Sequence, residues 1–139
     1  MNWIYWSLAS ALFAGATAVL AKIGVAGVDS NLATAIRTAV VLVFSWAVAF
    51  ATAPPGALAN LKPRTWIFLV LSGLATGLSW LCYFRALQLG EASRVAPIDK
   101  LSVVFVILFS AAFLGERLTV ARSAGGLLIM AGAIILALE

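Results

Sequence analysis

Five apolar runs, each close to the ~20 residues a helix needs to cross about 30 Å of hydrocarbon, take up nearly all of this chain. They are Trp3–Val25, Leu32–Thr52, Trp66–Leu89, Val95–Leu114 and Thr119–Leu138. The sequence is 64% hydrophobic and 10% charged, whereas a soluble domain is about half apolar and a quarter charged. Such a surface does not stay in water. The expected fold is all-α: an integral membrane bundle of five transmembrane helices in a lipid bilayer. Its 139 residues leave no room for a separate soluble domain.

The linkers carry the residues that stop helices. Asp29, Ser30 and Asn31 offer caps to the second run. Pro54, Pro55, Gly56 and Pro63 forbid a continuous helix over 52–64. Gly90–Ser93 and Gly115–Arg117 separate the last three runs. Residues 3–25 read as a retained helix, because a signal peptide places its positive charge before the apolar stretch. Here the first basic side chain is Lys22, after it.

Several function classes fall away. The chain has no histidine, and Cys82 is its one cysteine, which leaves no Cys/His metal cluster and no intrachain disulfide. No nucleophile–base pair or phosphate loop is visible, so neither an enzyme nor a cofactor is expected. The net charge of +4 is scattered among apolar helices. It forms no basic face for nucleic acid.

Small and polar residues gather on particular faces. In the third run Ser72, Thr76, Ser79 and Tyr83 follow i, i+4, i+7, i+11, flanked by Trp80. Thr34, Thr38 and Ser45 share a side of the second run, near Arg37, and Asp99 and Ser102 share one in the fourth. Such hydroxyls can bond within or between helices. Stripes on several helices point instead to a shared polar cavity, lined by Ser72, Thr76, Ser79, Trp80, Tyr83 and Ser102. Gly125 and Gly132 lie seven apart in the last run, on one face suited to a close helix–helix seam.

Lys22, Arg37, Asp99 and Lys100 sit inside or at the rim of these runs. A charge at the centre of a membrane helix costs about 2.5–3.5 kcal/mol, so it faces a protein interior or a water-filled path. Neighbours on a helix point roughly 100° apart, so Asp99 and Lys100 are expected to seek partners elsewhere. Arg37 or Lys22 is the expected partner of Asp99. The four charges are candidates for a network lining a transport path, with its positive excess favouring an anionic or zwitterionic solute. A fixed ion pair between the second and fourth helices is the structural alternative.

Together these stretches resemble the EamA domain of the drug/metabolite transporter superfamily. The resemblance is carried by Ala21-Lys22-Ile23-Gly24, Ala33-Thr34-Ala35-Ile36-Arg37, Tyr83-Phe84-Arg85-Ala86-Leu87, Ala92-Ser93-Arg94-Val95-Ala96-Pro97-Ile98, Leu114-Gly115-Glu116-Arg117-Leu118-Thr119 and the Gly-rich last run. It implies a single EamA-like five-helix domain over residues 1–139, working in a bacterial inner membrane as a multi-pass transporter, an exporter by alternating access. Most members carry two such halves in inverted orientation; this chain carries one. A homodimer would supply the second half. Gly125–Gly132 looks like the dimer-forming last helix of the small multidrug resistance proteins. A non-transporting membrane scaffold is the rival reading, and a dry, fully packed interior would favour it.

Lysine and arginine counts bear on orientation. Lys62, Arg64, Arg117 and Arg122 fall to one side, and Lys22, Arg85 and Arg94 to the other, with Arg37 and Lys100 deeper. This near balance, with the inverted halves of the relatives, predicts insertion in both orientations and an antiparallel pair; a single orientation with a parallel dimer is the alternative.

Overall fold

The computed structural model describes residues 2–138, all of its regular structure helical. It comprises α1 (Trp3–Gly24), α2 (Ser30–Thr52), α3 (Pro63–Leu89), α4 (Ala92–Asp99), α5 (Ser102–Phe113) and α6 (Val120–Leu138). Five spans are long and apolar enough to cross a membrane, with α4 and α5 forming one of them, Ala92–Phe113. Large apolar side chains such as Leu12, Phe50, Leu74 and Phe113 lie exposed. That outward-facing surface suits hydrocarbon, where each helix satisfies its own backbone hydrogen bonds.

The chain divides into two compact units, Gly24–Gln88 and Met1–Ile23 with Leu89–Glu139. In the first, Asp29 caps α2 as the linker chemistry predicts. Its Oδ1 accepts from Asn31 N at 2.9 Å and Leu32 N at 3.0 Å. After α2, Gly56 takes a φ of +78°, and short turns such as Ala57 N to Pro54 O (3.1 Å) carry the chain to α3. Near the far end of α3, Gln88 Nε2 donates to Val28 O. The buried residues of this unit are Val25, Ser30, Thr34, Phe84 and Leu87. They mark the start of α2 and the last turns of α3 as its packed end.

In the second unit α4 and α5 pack against α6. Small residues permit the approach: Gly126 and Ala133 of α6 are buried, and a Cβ on Gly126 would lie 3.2 Å from Ile107 Cδ1. Lys22 at the end of α1 donates from Nζ to Gly90 O at 2.7 Å. The turn before α6 is held by Arg122, whose Nη1 meets Glu116 Oε2 at 3.2 Å and Arg117 O at 3.0 Å.

The fourth span departs from the expected single helix over 95–114. It is interrupted at Lys100–Leu101. There Leu101 N bonds Ile98 O (3.0 Å), Val103 N bonds Lys100 O (3.0 Å) and Val104 N bonds Leu101 O (2.9 Å). These i−3 bonds are a short 3₁₀ tightening of the ladder. One turn earlier, Pro97 lies inside α4, where it lacks the N–H that would bond Ser93 O and so loosens the helix.

Candidate functional site

The interruption lies deep in its span. Lys100 and Leu101 are about 12 Å from Ala92 and about 18 Å from Phe113 at 1.5 Å per residue. Three of the candidate residues meet here, Asp99, Lys100 and Ser102. Asp99 is the last residue of α4 and Ser102 the first of α5, so they flank the interruption.

Asp99 and Lys100 correct the expectation that they seek partners elsewhere. Lys100 Nζ lies 3.2 Å from Asp99 Oδ2. The two side chains still leave the backbone roughly 100–120° apart, and it is the long, flexible lysine stem curling back that closes the distance. Asp99 therefore takes its own neighbour as ion partner, not the distant cation expected for it, and Lys22 is engaged at Gly90 O. The Lys100 and Asp99 side chains remain 55% and 36% exposed in the protomer. Ser102 is exposed beside them.

In the other unit Arg37 has a different solution. Its guanidinium carbon sits 4.1 Å from the centroid of the Trp80 ring and 5.4 Å from that of Phe84. Trp80 and Phe84 are four apart on α3, one above the other on one face. A cation over an aromatic face gains about 0.5–1 kcal/mol when exposed and about 2 when desolvated. That offsets only part of the roughly 2.5–3.5 kcal/mol for a charge at membrane depth. Among the described residues no carboxylate is recorded as its ion partner. Asp29 caps α2, while Glu91, Asp99 and Glu116 pair with Arg94, Lys100 and Arg122.

The stripe on α3 divides. Thr76 Oγ1 donates to Ser72 O at 2.9 Å within its own helix. Thr34 and Thr38 do the same at 2.8 and 2.7 Å, so these hydroxyls are satisfied without a cavity. Ser72 and Ser79 are exposed, and Tyr83 is half-buried. Of the predicted lining residues, Trp80 is the one seated against a predicted charge. Phe84, not predicted as part of the site, joins it; its i+4 spacing from Trp80 is the signal that could have pointed to it. Of the α6 glycines, Gly125 and Gly132 meet no atom within 4 Å of a Cβ position. Gly126, one residue from the predicted pair, is the glycine used in the contact with Ile107.

The sequence pattern of the EamA-like transporter family matches residues 1–138. The chain belongs to this family. A curated relative from Sinorhizobium sp, described as an "Uncharacterized transporter in cobO 3'region", is 53% identical over 136 residues, covering 98% of this chain and 96% of the relative. No solved structure matches the chain. Family membership and five apolar spans make it a multi-pass membrane transporter, embedded in a lipid bilayer and acting on small molecules. In an EamA-like transporter the interrupted fourth span and the aromatic-stacked Arg37 stand out as the polar features at membrane depth.

Proposed function

We propose that the chain moves small metabolites or drugs outward across a bacterial inner membrane, as a homodimer working by alternating access. The observation that carries this is the 3₁₀ interruption at Lys100–Leu101, with Asp99, Lys100 and Ser102 around it. Irregular backbone and charge at membrane depth are tolerated where they are buried in protein or line a water-filled cavity. Broken helices near the midplane are a recurrent way of building a substrate site. On this reading the two compact units act together as one five-helix domain. A second copy supplies the half that two-domain relatives carry in the same chain.

The Asp99–Lys100 pair supports an exchange role. A solute bearing both charges can replace either partner, so the site passes between a self-paired and a solute-paired state. This favours an anionic or zwitterionic solute. The test uses the purified full chain in proteoliposomes, screened for uptake and efflux across classes of amino acid, organic acid and amphiphilic drug. Wild type is expected to move at least one class, and Asp99→Asn and Lys100→Gln to lose that movement while still inserting and folding. Transport unchanged in both variants would remove the site from the pathway. No movement of any class by wild type would favour the scaffold reading.

A further inference from the structure

We infer that Arg37, laid on Trp80, is the recognition point for an oxyanion group, carboxylate or phosphate, on the transported solute. The inference rests on the reading of the chain as a transporter, but concerns a site in a different unit from the helix interruption. A guanidinium carries five N–H donors in one plane and accepts nothing. The guanidinium carbon lies over the Trp80 ring at 4.1 Å from its centroid, and the Phe84 centroid lies 5.4 Å away. Rings satisfy the cation's charge but not its hydrogen bonds. Among the described residues the Arg37 side chain makes ring contacts and no hydrogen bond or ion pair, and a two-oxygen anion matches a guanidinium edge in bidentate fashion.

Among the described residues no carboxylate is ion-paired with Arg37. Each carboxylate of the described residues is held by a neighbour: Asp29 by two backbone amides, Glu91 by Arg94, Asp99 by Lys100 and Glu116 by Arg122. The stack also removes freedom. An arginine held on a ring presents its fork with less ordering left to do on binding than a mobile lysine would require. A lipid headgroup phosphate and a soluble anion share this chemistry, so the experiment separates them.

Equilibrium dialysis of the full chain in phospholipid nanodiscs, with labelled succinate, glutamate and inorganic phosphate, tests the site. At least one of the three should bind saturably, and succinamide should not compete. Arg37→Gln should weaken binding about tenfold or more, and Arg37→Lys should restore only part of it. Trp80→Leu keeps the charge and removes the platform, and should weaken binding several-fold if Arg37→Gln fails to fold. The same titration in discs of phosphate-free galactolipid identifies the source. Binding in both lipids supports a solute site. Binding seen only in galactolipid would mean that headgroup phosphate holds Arg37, and overturns the inference. So would no saturable binding of any of the three anions in either lipid, or equal binding by wild type and Arg37→Gln. Failure here with transport intact removes only this site. Anion binding without transport of any solute removes the proposed function and leaves an anion site that serves no transported solute.

Discussion

Replacing Arg37 by leucine should leave the protein as stable as before or more so, while reducing transport. Arg37 is the eighth residue of α2, about 10 Å from the Ser30 end at 1.5 Å per residue. The roughly 2.5–3.5 kcal/mol quoted for the helix centre is therefore an upper value here, lowered by snorkelling toward the interface. Against it stand two ring contacts, at 4.1 and 5.4 Å, together about 1–2 kcal/mol. Leucine adds a favourable insertion term of about 0.3–0.6 kcal/mol. The sum is about 1–3 kcal/mol of added stability at the full helix-centre cost, falling toward zero as snorkelling lowers that cost. Had Arg37 been half of a buried ion pair, removing it would cost about 3–5 kcal/mol. The two cases differ in sign. Reversible unfolding by sodium dodecyl sulfate in mixed micelles, followed by helical circular dichroism, measures the difference, and proteoliposome transport measures the loss of function. A leucine variant destabilised by about 3 kcal/mol would refute the aromatic-platform account and place a carboxylate partner on Arg37.

Gly126→Leu should destabilise the protomer by about 1–3 kcal/mol through overpacking, because a Cβ there already lies 3.2 Å from Ile107 Cδ1; the same unfolding assay reads it. Gly125→Leu with Gly132→Leu meets open space in the protomer, so it should leave the protomer stable and lower the dimer fraction on crosslinking in membranes; an unchanged fraction places the interface elsewhere. Asp29→Ala removes the acceptor of two amide bonds at the start of α2 and should cost about 0.5–2 kcal/mol, most of it regained in Asp29→Asn or Asp29→Ser. Reporter fusions at the C-terminus should signal from both sides of the membrane if the chain inserts both ways. A one-sided signal that a single added lysine on either face does not shift would exclude the antiparallel pair.

The five spans were legible in the sequence because hydrocarbon imposes one requirement that chain chemistry alone can meet. A run of about 20 apolar residues satisfies its backbone as a helix wherever its neighbours lie. Turn residues are equally local: Asp29 caps α2 using amides two and three residues away. The EamA-like membership was legible for the same reason, since its short stretches occur in order along the chain. Partner choice was not. That Arg37 lies on Trp80 and Phe84 depends on how α2 meets α3, which no spacing along either helix contains. The pairing of Asp99 with Lys100 depends on how a long, flexible lysine stem folds back, which the rotation per residue along a helix does not contain. Which glycine of α6 is buried was likewise a matter of rotation: the spacing singles out Gly125 and Gly132, and packing against α5 buries Gly126. Hydropathy decided what must be helical and in lipid. Only the folded contacts decided that Arg37 lies on aromatic rings while the acids pair with near neighbours.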